Sequence, residues 1–488
     1  LAAADGNEAV AAAVRRREDA DIQLRALLTE RDALLATGRP AGELDQRIAA
    51  QRAAREEAEA EALAAAPGFR QLRDEAVSAE AALAVLGQGE AMVQFLLGPR
   101  HSYALALRPG RPAALARLSL TMAEAGRLVA ATRAAVDGEG PQDGRLPAFD
   151  TAAAAALHAA LLGPLDAYLE GAGTLVVVPD GPLLALPFAM LLTGPADPAN
   201  LSAAPWLIRR HAIVHAPSVQ ALVRLREASP ASAAPRPYIG FGDFLPPAEA
   251  QLRASFPAAT CGEDAAVARG LGRLPGTLGE VRVAASIMGA GATQVLGRDF
   301  TAAAVAGAGL GQYRIVHFAT HGLLPGDLAC LTEPAVMVSN PPGAADAAGS
   351  FVPASAIMGL RMDADLAILS ACNTAGAGTV EGAAQAAEAL SGLARAFFVA
   401  GARGLLATHW LASDAAAQFI VPVMLSAQSQ GTPSAAALRA AQLALLTDQP
   451  GRPSLAHPFY WAPFALLGDG RRGGPTRTTQ SAPIANGG

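Results

Sequence analysis

Apolar positions along the chain follow two rhythms, one helical and one short and strand-like. Over residues 7–38 and 41–65, Leu24, Leu27, Leu28, Leu34 and Leu35 recur at roughly helical spacing. Arg52, Arg55, Glu56, Glu57 and Glu59 fill the polar positions between small residues. The stretch Gly38-Arg39-Pro40-Ala41-Gly42 separates the two halves. Together they predict an antiparallel helical hairpin or short coiled coil within residues 1–88, suited to docking or regulation. A third helix is expected over Gln71–Leu86, after Pro67-Gly68. No unit of about 34 residues repeats, which leaves a helical repeat array, if there is one, to the sequence upstream of Leu1.

From Ala91 the pattern shortens. Met92–Leu97 and Ser102–Leu107 are apolar runs split by Gly98-Pro99-Arg100, which predicts a β-hairpin. A helix is expected around Leu115–Val136, a Gly/Asp/Pro-rich loop over 137–147, and a helix over 150–169. Thr174–Val178 is a continuous apolar run ended by Pro179-Asp180-Gly181-Pro182, as in a strand covered on both faces. Residues 211–215 read as another strand, followed by a helix from Pro217, and the Ser/Ala/Pro-rich stretch 226–237 reads as a linker.

Beyond that linker, Tyr238–Gly242, Thr293–Leu296, Tyr313–Phe318, Asp365–Ser370 and Gly404–Thr408 read as strands. Helices at 277–289, 300–309 and about 385–400 separate them. Strands that alternate with helices predict an α/β fold, a mostly parallel sheet with helices on both faces. The expected division is 91–225, 236–470 and a Gly/Pro/Thr-rich tail, 471–488, that reads as disordered.

Composition narrows the function classes. All 37 basic residues are Arg, the formal net charge is -6, and no dense basic stripe stands out, so no nucleic-acid partner is expected. No apolar run reaches the roughly 18 residues of a membrane span; the longest, Thr151–Leu169, is interrupted by His158 and Asp166. The chain starts at Leu1 without a signal-peptide pattern, which fits further sequence upstream. Cys261, Cys330 and Cys372 are odd in number and widely spaced. That spacing argues against a disulfide framework and against a Cys-based zinc site. A reduced, cytoplasmic setting is expected.

Two segments carry chemistry. Tyr313–Gly322 is an apolar strand ending in His321-Gly322, and Leu366–Thr374 is an apolar strand ending in Ala371-Cys372. Residues just past the carboxyl ends of parallel strands line the crevice of an α/β sheet, so neighbouring strands would present an imidazole and a thiol together. A thiol with an ordinary pKa near about 8.5 is mostly protonated at neutral pH. A nearby imidazole shifts it toward thiolate or takes its proton during attack. The backbone amides of Gly322 and Cys372 are the candidate oxyanion donors. Taken singly, a Cys at a strand end is ordinarily a small buried hydrophobe. The His-Gly and Ala-Cys pairing lifts both above that reading. The His precedes the Cys by about 50 positions, as in caspases, an order that excludes a papain-like arrangement.

Other polar residues read less sharply. His317 lies four before His321, but no carboxylate or Cys spacing supports a metal site, so His317 reads as a strand residue that supports the site. Asn373, Asp327, His409 and Trp410 are candidates for a substrate groove. For Asp327 and Glu333 a solvated loop charge is the plainer account; for His409-Trp410 it is a structural strand end. His457 beside Tyr460 and Trp461 reads as packing, Asp180-Gly181 as a turn, and Gly240-Phe-Gly242 is too sparse for a nucleotide loop.

From about Ala91 to Gly470 the chain resembles the CHAT domain, a caspase-like family often found beside tetratricopeptide repeats in bacteria. Val177–Phe188, Leu274–Val281, His317–Gly322, Leu369–Thr374, Gly401–Trp410 and His457–Phe464 carry the resemblance in collinear order. It implies a cysteine peptidase with His321 and Cys372 as its dyad, a protein or peptide substrate, and no metal or organic cofactor. It also implies gating by a partner or upstream sensor, with the N-terminal helices as the docking element and residues 91–225 as a pseudo-protease companion. Asn373 stands where the family often has an acidic residue or Gln, which bears on substrate preference. His409-Trp410 stands where a Leu-Trp pair is common. A catalytically silent scaffold and another thiol hydrolase, such as an acyltransferase, are the competing readings.

Overall fold

The computed structural model describes residues 42–65, 77–137, 146–228, 231–323, 327–341, 343–370, 392–410, 413–447 and 455–472. It also describes Arg16, Ala20, Gln23, Leu24, Leu27, Glu30, Arg31 and Leu34. The chain forms two compact units: Leu1–Ala76 with Met358–Leu360, and the remainder.

In the first unit the described residues between 16 and 34 are helical, and a second helix runs Gly42–Ala65. Leu44 and Ile48, four apart and so on one helix face, are buried with Leu27 against Leu24 and Leu34. Arg31–Asp45 at 3.9 Å and Arg47–Glu30 at 3.8 Å flank this seam. As largely exposed pairs they add little to stability. The turn at 38–41 lies outside the described residues. So do residues 71–76 of the helix expected over Gln71–Leu86; within the described remainder the helix is Ala79–Ala84.

The second unit is an α/β structure on one large sheet. Its strands are β1 (Glu90–Leu96), β2 (Ser102–Leu107), β3 (Ala114–Leu118), β4 (Thr174–Val178), β5 (Ala212–His215), β6 (Arg236–Gly242) and β7 (Thr293–Leu296). They continue with β8 (Tyr313–Phe318), β9 (Gly322–Leu323), β10 (Ala335–Met337), β11 (Phe351–Pro353), β12 (Leu366–Leu369), β13 (Gly404–Thr408) and β14 (Phe464–Gly468). The main sheet has 11 strands in the order β3-β2-β1-β4-β5-β14-β13-β12-β8-β6-β7, and β11-β10-β9 form a small second sheet. From β1 to β7 every pairing is parallel except β13 with β14; β2 and β3 add an antiparallel edge. The mostly parallel sheet flanked by helices is the architecture the alternating pattern predicts. β4, β12 and β13 are buried along nearly their whole lengths, as continuous apolar runs require.

Three local expectations are corrected. Residues 115–118 belong to β3, not to a helix: exposure alternates along it, with Leu115 71% exposed. The helix begins only at Met122, where Thr121 accepts from the Glu124 amide and the Glu124 carboxylate accepts from the Thr121 amide, a capping box. The helix over 150–169 breaks at Gly163-Pro164 into Thr151–Leu161, a short 3₁₀ turn and Asp166–Leu169. The pair bends by 46°, Leu157, Leu161, Leu165 and Leu169 are buried, and among the described residues no single helix is long and apolar enough to cross a membrane. Third, Cys261 and Cys330 are disulfide-bonded across a sequence separation of 69, contrary to the expectation from spacing. The helix Ala258–Cys261 meets the turn at Cys330 only through the tertiary fold, so spacing carried no signal. Closing a loop of that length restricts the unfolded chain by about 4 kcal/mol on the chain-entropy account.

Gly240 and Gly242 are there for packing. A Cβ at Gly240 would sit 2.7 Å from Val281 Cγ1, and one at Gly242 would sit 3.0 Å from Val281 Cγ2. The glycines let the helix Gly276–Met288 lie directly on β6.

A buried ion cluster ties three elements of the sheet together. Arg226, on the helix Val219–Ala228, makes two 2.9 Å hydrogen bonds to Glu90 at the start of β1. Its Nε lies 3.3 Å from Asp469, just past β14. Burial opposes ionisation of Asp469, but Arg226 and then Arg471 outweigh it and hold that carboxyl below its ordinary value.

Buried histidines give the fold a pH dependence of predictable sign. Burial pushes His215 down to about 4 and His409 well below its ordinary value. Both are neutral when folded and take a proton once unfolded. Their contribution is therefore complete above about pH 6.5 and is lost as pH falls toward 4. For His215 alone the shift corresponds to about 3 kcal/mol. The depressed Asp469 adds a further loss at lower pH, as its carboxylate is protonated. The thermal midpoint is expected to be clearly lower at pH 5 than at pH 7; an unchanged midpoint would contradict the burial of these rings.

Candidate active site

β8 and β12 are parallel neighbours, with His317 opposite Ile368 and Phe318 opposite Leu369. Both strands therefore end at the same edge of the sheet. Past β8 the chain runs Ala319-Thr320-His321, and past β12 it runs to Ser370, whose amide donates to the Phe318 carbonyl at 3.3 Å. Cys372 and Asn373, two and three positions past Ser370, lie outside the described residues.

His321 is buried at 5% exposure and fixed from two sides. Its backbone carbonyl accepts from Met337 at 2.9 Å, and Gly322 and Leu323 pair with Val336 and Ala335 in the small sheet. Thr320 Oγ1 donates to the Met337 carbonyl at 2.8 Å. The imidazole stands edge-on to Phe244, with ring centroids 5.4 Å apart. Its Nε2 lies 2.9 Å from the Gly272 carbonyl oxygen. A carbonyl only accepts, so Nε2 carries the hydrogen and, in the neutral ring, Nδ1 carries the lone pair. The contact selects one tautomer and one ring orientation. Gly322, the expected oxyanion donor, is buried immediately after it.

The carboxyl end of β6 supplies the other wall. Asp243 has φ 57, the left-handed region, where a non-glycine residue is uncommon. Its amide donates to Thr277 Oγ1 at 2.9 Å, and its carboxylate accepts from Arg273 Nε and Nη2 at 2.8 and 2.6 Å. Arg273 is half-exposed and follows Gly272 directly. A strained backbone beside a candidate base is a common feature of functional sites. The sequence reading missed Gly272, Asp243 and Phe244. A backbone carbonyl leaves no side-chain signal, but the end of strand Tyr238–Gly242 marked the place where Asp243 and Phe244 follow.

Beneath the edge lies a wholly buried polar network. His317 Nδ1 lies 2.7 Å from the Tyr238 hydroxyl, and its Nε2 lies 3.1 Å from Ser370 Oγ and 3.2 Å from Glu280 Oε1. Burial first, and then the Glu280 charge, raise Tyr238 well above its ordinary pKa, so the phenol stays protonated and can donate to or accept from His317 Nδ1. The network joins β6, β8 and the helix Gly276–Met288 to the residue that ends β12. Tyr238→Phe is expected to cost about 1–3 kcal/mol, because the imidazole nitrogen stays buried without its hydrogen-bond partner. Chemical denaturation measures this, and a change under about 0.5 kcal/mol would contradict the network.

The remaining candidates sit apart from His321 in character. Asp327 is half-buried in the turn that follows β9. Glu333 accepts from the Ser355 amide at 2.8 Å and hydroxyl at 2.9 Å, beside the helix Ala354–Met358. His409 and Trp410, past β13, are buried. The His409 ring meets His215 at 5.7 Å, and Trp410 donates to the Phe459 carbonyl at 3.2 Å under the Arg133 guanidinium. His457 accepts from the Phe459 amide at 3.2 Å and caps a short helix.

Among protein families, the CHAT domain matches residues 151–469. Among solved structures, the chain is similar to separase in the Saccharomyces cerevisiae separase–securin complex, at 8% identity and a TM-score of 0.43. That match covers 80% of this chain and 30% of the separase structure's chain, so the present chain spans about a third of the length of that relative. No curated protein matches the chain.

Proposed function

We propose, from the premise that this chain belongs to the CHAT domain family, that it is a cysteine-type endopeptidase acting through Cys372 and His321. The observation that supports this most is the Nε2–H bond from His321 to the Gly272 carbonyl, at the sheet edge where β12 also ends, three residues before Cys372 in the sequence. A histidine so held offers Nδ1 as a base in a fixed direction. In the proposed reaction the Cys372 sulfur attacks the scissile carbonyl carbon and its proton passes to His321 Nδ1. The amides of Gly322 and Cys372 hold the oxyanion. The C–N bond breaks as His321 returns the proton to the leaving amine, and water then hydrolyses the acyl-enzyme.

In the same reading, residues 91–225 serve as a non-catalytic companion half, and the helices of residues 1–88 dock a regulatory partner or sensor. In this reading the site needs no metal. Asn373, Asp327, His409 and Trp410 are the residues to vary when substrate preference is mapped.

The rate of alkylation of Cys372 by iodoacetamide across pH 5–9 tests the dyad without a known substrate. An imidazole-paired thiol keeps reacting below the ordinary thiol pKa of about 8.5. The His321→Ala chain should instead follow an ordinary thiol titration. Identical profiles for the two chains would sink the dyad.

A further inference from the structure

Between the helical segment that supplies Gly272 and the turn that follows β9, the structure holds a second reactive pair. Cys261, buried at the end of the helix Ala258–Cys261, is bonded to the exposed Cys330. Asp264, 4% exposed at the start of the next helix, accepts from the Ala329 amide at 2.7 Å and the Cys330 amide at 2.8 Å. That helix, Asp264–Gly270, leads within two residues to Gly272, whose carbonyl holds His321. One short stretch of chain is thus fastened to the His321 side of the fold at three points: a disulfide, a doubly bonded carboxylate and the imidazole.

We propose that Cys261 and Cys330 are a reversible thiol–disulfide site whose oxidised form secures Gly272 against His321. Cys330 is the accessible partner and reacts first. Its thiolate attacks one sulfur of a small-molecule disulfide such as glutathione disulfide, and one glutathione thiolate leaves. The Cys261 thiolate then attacks the Cys330 sulfur of that mixed disulfide and releases the second glutathione. Two protein thiols give up two electrons and two protons, and one glutathione disulfide becomes two glutathiones. Reduction runs the exchange backward. It removes the covalent tie and leaves the Asp264 hydrogen bonds, the Arg273–Asp243 pair and the imidazole contact to hold the segment.

The same three residues also form the one Cys/Asp donor group among the described residues, with ligand atoms within 4.8 Å. Both Asp264 oxygens are engaged by backbone amides, and disulfide sulfurs are uncharged, so the geometry favours redox exchange over a metal centre. The site's bearing on catalysis rests on the peptidase reading; its existence does not.

The test uses the full chain carrying Cys372→Ala, so that the third thiol does not react, equilibrated with glutathione disulfide or with reduced glutathione. Thiols are counted by mass after alkylation, and amide hydrogen exchange is followed over 262–275 and 327–337. In the oxidised chain both thiols should be blocked, with exchange over both segments at least about tenfold slower than after reduction. Cys330→Ser should show the fast rates in either buffer. Exchange that is equal in the two redox states, or two thiols that stay free in glutathione disulfide, would overturn the proposal. So would one zinc ion held per reduced chain and lost in Cys330→Ser. If the thiol site passes this test while the native chain, with Cys372 intact, cleaves nothing in a diverse peptide library, the thiol site stands and the peptidase reading falls.

Discussion

Replacing Arg226 with Ala is expected to lower the free energy of unfolding by about 3–5 kcal/mol, because Glu90 then stays buried without its cation and Asp469 keeps only Arg471 and Arg472. Arg226 has no exposed side-chain surface; it joins Glu90 on β1 to Asp469 past β14 and donates to the Val85 carbonyl at 3.2 Å. These contacts span strands on either side of β4 and β5, so the loss should be felt as weaker cooperativity across the whole sheet. The double change Arg226→Met and Glu90→Gln removes the buried pair together, leaves Asp469 with Arg471 and Arg472, and should recover much of the loss, since a buried pair contributes little beyond its own desolvation. Urea titration separates the two outcomes. A single Arg226→Ala chain as stable as the native one would contradict the cluster.

The second large effect is catalytic. His321→Ala is expected to reduce kcat/KM for a peptide substrate by at least about 10³-fold, the range seen when one member of a nucleophile–base pair is removed. His321→Gln should be no better, because a carboxamide donates to Gly272 but takes no proton. Losses confined to KM would instead indicate a binding role for the ring. Because His321 is buried, each variant's thermal midpoint must accompany its rate, so that a failure to fold is not read as a failure of chemistry.

Much of the sheet could be read from the chain. Thr174–Val178, Tyr313–Phe318 and Gly404–Thr408 are apolar runs bounded by turn residues, and a strand buried on both faces has no other sequence form. The strand at 464–468 was missed although Phe464–Gly468 is wholly buried. Its five residues follow a cluster of aromatic residues, and that cluster reads as packing. β3 was missed because alternating Ala and Leu suit a helix as well as an edge strand; the Thr121–Glu124 capping box was the available signal.

Within the site, His321 stood out because its His-Gly ending pairs with the Ala-Cys ending of a second apolar strand. Gly272 could not stand out, since its contribution is a carbonyl that every residue possesses. Glu280 lay inside the quoted segment Leu274–Val281, but its place beside His317 depends on how the helix Gly276–Met288 settles on β6. The Cys261–Cys330 bond joins two segments that sequence spacing cannot bring together. Side chains declare their chemistry in a sequence, whereas the backbone groups and long-range pairs that orient them are fixed only by the fold.

The measurement that tests the central claim most directly is terminus mapping on a diverse peptide library, with the native chain beside Cys372→Ala. The account predicts new termini at a defined set of sequences with the native chain and none with Cys372→Ala at matched folding. Termini that persist in the Cys372→Ala chain would contradict it.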